Sequence, residues 1–245
     1  MGVGRVLLPS VDSTNAEAFR RAPDLSGPCW ILAAEQTAGR GRRARAWSSP
    51  QGNFYATLVM HPHEAPQIVA LRSFAAALAL RDALAGATGT GAGLALKWPN
   101  DVLMNGGKVA GILLESHGSG QGVAALAIGI GVNLIAHPDP HLIEQGAVPP
   151  VSVLSETGVR LTPEALLNHL APAYARWEAV FATQGFAPLR TAWLAHAARL
   201  GEKIIARTGT QSREGLFETI DAEGNLILRM AQGPLAIPAA EVFFS

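Results

Sequence analysis

Gly106-Gly107-Lys108-Val109-Ala110-Gly111-Ile112-Leu113-Leu114-Glu115 is the stretch from which the architecture can be read outward. Two glycines permit a tight turn, and the apolar run after them has the length and composition of a buried strand. Lys108 stands where that strand begins. A lysine carried into an apolar layer is costly unless it faces a cavity with an anion. The stretch thus predicts a core strand and marks Lys108 as a working side chain rather than a snorkelling one.

Further strands flank it. Cys29–Ala34, Asn53–Met60, Leu94–Trp98 and Val123–Ile130 are apolar runs bounded by turn residues. Thr14-Asn15-Ala16-Glu17 has capping-box spacing and predicts a helix through Arg21. Leu71, Phe74, Leu78 and Leu84 fall near one helical face within Gln67–Ala85, with Gly86 as its C-cap. Pro163–Thr183 reads as a long helix capped by Thr162. After Gly201 the pattern changes to short β segments: Lys203–Arg207, Gly215–Ile220, Asn225–Met230 and Leu235–Pro238, with Asp221–Asn225 as a hairpin connection. The expectation is an α+β protein, a mixed sheet flanked by helices over residues 1–197 and a small β-barrel over 198–245.

Composition bounds the function. The 245 residues are 49% apolar and 16% charged, enough to build a sizeable core. Lys+Arg and Asp+Glu balance at 19 each, which argues against general nucleic-acid binding and against a polybasic membrane surface. The single Cys29 excludes an internal disulfide framework, and with no CxxC or clustered histidines there is no zinc site. Val123 to Ile135, the longest apolar run, is interrupted by glycines and too short to span a bilayer. Met1–Leu8 lacks a secretory apolar region, so a cytoplasmic enzyme is expected.

On this neutral chain Gly39-Arg40-Gly41-Arg42-Arg43-Ala44-Arg45-Ala46-Trp47 packs four arginines and two glycines into nine residues. The planar guanidinium suits carboxylate and phosphate oxygens, so a small anionic ligand is expected. Lys97-Trp98-Pro99-Asn100-Asp101 ends a strand with a cation, an amide and a carboxylate. Asp101 there reads either as a Mg²⁺ ligand beside phosphates or as a turn residue. Asp12-Ser13-Thr14-Asn15 reads as a helix cap whose hydroxyls could also hold a polar ligand. Ile128-Gly129-Ile130-Gly131-Val132-Asn133 reads as a strand end, or as a glycine surface for a flat ligand.

In this order the stretches resemble the biotin protein ligase family: Asp12–Asn15, Glu35–Arg43, Lys97–Asp101, Gly107–Glu115 and Gly129–Asn133, with the β-rich tail resembling the family's SH3-like terminal domain. The resemblance implies a class II synthetase-like catalytic domain and a two-step reaction. Biotin's carboxylate attacks the α-phosphate of MgATP to give biotinyl-5′-AMP and pyrophosphate, and a lysine of a biotin carboxyl carrier protein then takes the biotinyl group. It further implies Arg40, Arg42 and Lys108 as catalytic groups. Ser13, Thr14, Asn15, Gln36, Gly39, Arg40, Lys108, Gly111 and Gly129 would surround biotin. Arg42, Trp47, Asn100, Asp101, Lys108 and Asn133 would meet ATP or the adenylate, Asp101 as the Mg²⁺ ligand. Trp47 either covers adenine or anchors the loop; Arg43 and Arg45 are either solvated or meet the acceptor.

Family loops usually carry Gly where Ala44 stands, and Ala tolerates positive φ poorly. The pattern begins by Asp12, so no helix-turn-helix domain and no nucleic-acid partner are expected, whereas family members often pair as homodimers. The alternatives are a lipoate–protein ligase and a non-enzymatic biotin sensor.

Overall fold

A computed structural model describes residues 3–118, 122–139, 144, 146–208, 211–238 and 240–244. The main sheet has seven strands: β1 (Gly4–Leu8), β2 (Cys29–Ala33), β3 (Phe54–Met60), β4 (Leu94–Lys97), β5 (Asp101–Met104), β6 (Gly107–His117) and β7 (Ala125–Val132). They lie in the order β1-β2-β3-β7-β6-β5-β4, with β1 and β2 parallel and the other pairs antiparallel. The expected mixed sheet is present.

Alternation along the strands divides the residues between two layers. Trp30, Leu32, Phe54, Ala56, Leu58, Ile112, Ile128 and Ile130 face a core built with α3 (Arg72–Thr88), α5 (Pro163–Gln184) and α6 (Phe186–Leu194). Cys29, Ile31, Val59 and Ala127 face the other way, against α1 (Thr14–Arg21). Short helices α2 (Pro66–Ala70) and α4 (Val153–Thr157) complete this part.

The helix expected over Gln67–Ala85 is two helices, α2 and α3, and it does not end at Gly86. It runs to Thr88 and is capped by Gly89 in the left-handed conformation, φ 77°. Gly86 instead lies inside α3, where an added Cβ would stand 3.2 Å from His169 Nδ1 on α5. Absence of a side chain there serves helix packing, not termination. Asp101 is likewise not a turn residue: it opens β5, a strand the sequence reading lacked. Strand β1, the last strand (Glu241–Phe244) and helices α4 and α6 were also not anticipated.

The tail forms a five-stranded antiparallel sheet of β8 (Lys203–Thr208), β9 (Gln211–Ile220), β10 (Leu226–Met230), β11 (Gly233–Ile237) and β12 (Glu241–Phe244). Phe217, Ile220, Leu226, Leu228 and Ile237 are buried there, as in a small barrel-like unit. Its β9–β10 turn has Asp221 Oδ1 accepting from the backbone amides of Glu223 and Asn225. Gly224 at the tip, φ 83°, reaches the main core, where its carbonyl accepts from Trp98 Nε1 at 3.1 Å.

Candidate active site

The face of the sheet opposite the α3–α5 core carries a floor of glycines. Gly111 pairs with Gly131 across β6 and β7, and Leu113 pairs with Gly129. The next strand, β3, places Tyr55 beside Gly131 and Thr57 beside Gly129. With no Cβ at three of these positions, other groups come down onto the backbone. A Cβ on Gly131 would stand 2.7 Å from the Trp47 ring, one on Gly111 3.2 Å from it, and one on Gly129 2.3 Å from Asn15 Oδ1. The glycines therefore admit Trp47 and Asn15.

Above this floor is a groove of about 570 Å³, bordered by Ser13, Thr14, Asn15, Gln36, Arg40, Arg42, Trp47, Asn100, Asp101, Lys108, Gly111, Gly129 and Asn133. That size lies within the ~300–1,000 Å³ usual for small-molecule sites. Of the catalytic, biotin-binding and nucleotide-binding residues expected from sequence, Gly39 alone does not border it. Gly39 stands at the base of the loop, where a Cβ would meet Ser49 Oγ at 2.6 Å and Gln36 Nε2 at 2.9 Å.

One end is lined with hydroxyls and amides. The N-cap of α1 is Ser13 rather than Thr14, and no side chain caps the helix. Glu17, expected to close a capping box, instead meets Arg20 at 2.7 Å and Arg21 at 2.6 Å. Freed from capping, Thr14 turns toward Gln36: Thr14 N and Oγ1 both approach Gln36 Oε1, at 2.9 and 3.1 Å. Asp12 is held by Arg20 and by the Ser13 amide, and the guanidinium lowers its carboxyl to about 2. Asp12 thereby fixes the turn into α1.

Cations gather at the other end. Lys108 Nζ is 2.7 Å and Lys97 Nζ 3.5 Å from the buried Asp101 carboxylate. Burial alone would raise the Asp101 carboxyl, but Lys108 and Lys97 outweigh it and hold it below its usual range. Burial depresses the Lys97 ammonium, against the pull of Asp101. The anion that Lys108 needs is thus supplied within the chain. Asp101 has an ammonium against each oxygen, Lys108 at 2.7 Å and Lys97 at 3.5 Å, so cations of the chain already occupy both. This donor set does not fit a Mg²⁺ ion held by Asp101.

Asn100 and Asn133 border the groove while tying its frame together. Asn100 Nδ2 donates to Ile112 O at 2.6 Å, and Asn133 Nδ2 donates to Val151 O at 3.0 Å.

The arginine loop is a tight hairpin. Trp47 N donates to Gly39 O at 2.9 Å and Gly41 N to Arg45 O at 2.8 Å, around a single turn at Arg42–Ala44. Arg43 and Ala44 sit in the left-handed region, φ 56° and 57°, where glycine would be unstrained. Arg40 pairs with Glu115, Arg42 Nη1 donates to Ala240 O at 3.1 Å, and both Arg43 and Arg45 pair with Glu241. Arg43 and Arg45 are therefore neither merely solvated nor free. Lys108 Nζ lies 5.7 Å from the Trp47 ring centre, within cation–π range.

Thr57, Glu115 and Glu241 were not singled out from the sequence. Thr57 had a signal, the only hydroxyl in the apolar run Phe54–Met60 apart from that of Tyr55. Glu115 had one too, a carboxylate following an apolar strand.

Residues 7–133 match the Biotin/lipoate A/B protein ligase family, and residues 200–245 match the Biotin protein ligase C terminal domain. A biotin–[acetyl-CoA-carboxylase] ligase of Paracoccus denitrificans is 62% identical over 238 residues, 97% of this chain and 99% of the relative. The bifunctional ligase/repressor BirA of Bacillus subtilis (strain 168) is 30% identical, the match covering 86% of this chain and 65% of BirA. In structure, a biotin protein ligase from Aquifex aeolicus, solved with biotin and ATP, superposes with a TM-score of 0.82 at 24% identity, covering 98% of this chain and 97% of the other. At that identity the superposition speaks for the fold alone.

Proposed function

We infer the reaction from one premise: the chain belongs to the biotin/lipoate A/B protein ligase family. It is a biotin–protein ligase that uses ATP. Biotin's carboxylate attacks the α-phosphate, pyrophosphate leaves, and the biotinyl-5′-AMP mixed anhydride then passes its acyl group to a lysine amine with release of AMP. As acceptor we assign the biotin carboxyl carrier domain of acetyl-CoA carboxylase, by likeness to the Paracoccus denitrificans relative. A cytoplasmic location belongs to the same proposal; among the described residues no helix is long and apolar enough to cross a membrane.

The observation that carries the assignment of roles is the polarity of the groove, neutral donors and acceptors at one end and cations at the other. Ser13, Thr14 and Gln36 receive biotin's ureido head, which has both donors and an acceptor to match them. Arg40 and Gly111 lie along biotin. Activation brings a carboxylate toward a triphosphate, two anions that repel. Lys108, with Lys97 behind it, and Arg42 from the loop lower that repulsion and favour the charge developing on the phosphate oxygens. Holding both reactants in one groove supplies the orientation the step needs. Asn100 and Asn133 border the nucleotide end, where Trp47 covers the glycine floor. The loop shelters the anhydride from water until the acceptor lysine arrives.

Biotin-dependent exchange of [³²P]pyrophosphate into ATP, with lipoate in parallel, tests this reading. Exchange with biotin alone is expected. Exchange with lipoate in its place would move the substrate assignment to the sister enzymes of the family.

A further inference from the structure

A chain of polar contacts connects the groove's hydroxyl-lined end to the arginine loop, and the two chemical steps do not themselves require it. It leaves Gln36, whose Oε1 accepts from Thr14. The Thr14 and Thr57 hydroxyl oxygens are 2.8 Å apart, and Thr57 donates to Asn15 Oδ1 at 2.6 Å. Asn15 Nδ2 donates to Glu115 Oε2 at 2.7 Å. Glu115 Oε1 accepts from Arg40 Nη2 at 3.2 Å and from Nε at 3.3 Å. The circuit thus returns to the segment it left, four residues further on.

Its middle is rigid. Thr14, Asn15 and Thr57 are 4%, 3% and 0% exposed, and polar groups so buried keep their partners because an unmet one is expensive. Glu115 is the carboxylate of the circuit and touches both the buried amide of Asn15 and the guanidinium of Arg40. Arg40's charge is thereby answered within the protein. Without Glu115 that guanidinium would be free to turn to solvent, and the loop would lose its tie to the buried amide of Asn15.

We propose that Glu115 is a positioning residue for biotin activation: by joining Arg40 to Asn15 it fixes the loop that carries Arg42 to the end of the groove where biotin's ring system binds. This rests on the biotin-ligase reading of the groove. Thr14 is then shared between ligand and circuit, so filling that end and ordering the loop support one another.

The test is a double-mutant cycle read in biotin-dependent pyrophosphate exchange. Glu115→Gln keeps an oxygen for Asn15 while removing the charged pair with Arg40. Hydrogen bonds to charged groups and partly exposed ion pairs together set the expected effect, a rise in the KM for biotin of about fivefold. The KM for ATP and the unfolding midpoint stay at wild-type values. Arg40→Gln raises the biotin KM at least as much. Adding Glu115→Gln to Arg40→Gln then changes it by less than about twofold, because the shared interaction is already lost.

Independent multiplication of the two effects overturns the proposal, as does an unchanged biotin KM in Glu115→Gln. Should Glu115→Gln fail to fold, Arg40→Gln at its partly exposed loop position carries the test, and a parallel rise in the ATP KM overturns the proposal. Failure of the underlying reading is separate: it appears as absence of biotin-dependent exchange in the wild-type protein.

Discussion

The two walls of the groove are built by opposite means. The wall formed by α1, β3, β6 and β7 is held by hydroxyls and amides almost wholly removed from water. The wall formed by the arginine loop is held by ion pairs whose arginine side chains are 39–58% exposed. Buried hydrogen bonds resist opening because a broken one leaves desolvated polar groups unmet, at about 1–3 kcal/mol each. Exposed ion pairs are worth about 0–1 kcal/mol and are screened by salt. In the proposed reaction, one wall would therefore be a fixed template for the substrate's neutral part. The other can part from it and return, as an enzyme must allow if it shelters a water-sensitive anhydride and then presents it to a protein.

The largest effect is expected where the fixed part carries charge. Lys108→Ala removes the ammonium 2.7 Å from Asp101, while Lys97 remains to hold that carboxylate. Loss of a charged contact to the phosphate oxygens, worth up to about 3 kcal/mol, slows pyrophosphate exchange by about a hundredfold. Near-wild-type exchange would leave the phosphate chemistry to Arg42 and Lys97.

Two neighbouring glycines separate the walls more sharply. Gly129→Ala drives a methyl to 2.3 Å from the buried Asn15 amide, whereas Gly131→Ala drives one to 2.7 Å from the Trp47 ring on the loop. The first variant is expected to lose about 1–3 kcal/mol of stability together with biotin affinity. In the second the loop gives way: calorimetry finds the unfolding midpoint within about a degree of wild type, while biotinyl-5′-AMP dissociates several-fold faster. Equal midpoints for the two variants would erase the distinction between the walls.

The smallest effect sharpens it. Ala44→Gly removes left-handed strain of about 1 kcal/mol from the closed loop. Release of biotinyl-5′-AMP should slow by up to about fivefold. Faster release would mean that added backbone freedom outweighs the strain removed.

Much of the site was legible because its chemistry is local in sequence: arginines on a glycine loop, a lysine at a strand's start, glycines in an apolar run. The polar circuit was not, because it depends on register. Thr57 is adjacent to Gly129 only through the β3–β7 pairing, and Glu115 reaches Asn15 across 100 residues of chain. Local rules also gave way where tertiary contacts competed. Thr14 and Glu17 match a capping box, yet Gln36 and two arginines offered them other partners. Gly86 looks like a stop signal, but α5 packs against the space it leaves. Among the segments missed, β1 and β12 are strands of five and four residues at sheet edges, too short for a periodic signal to develop.

Trp47 brings an optical consequence. Trp30, Trp98 and Trp193 are buried in the core and Trp177 packs against it, so their surroundings stay constant while the loop moves. Trp47 rests on Gly111 and Gly131 with an ammonium 5.7 Å from its ring, and its indole N–H is buried with no hydrogen-bond partner among the described residues. Lifting the loop carries that indole from a dry, cation-flanked seat into water, which lengthens its emission wavelength. A loop that opens during turnover would thus carry its own dye, and its opening could be timed without attaching a label.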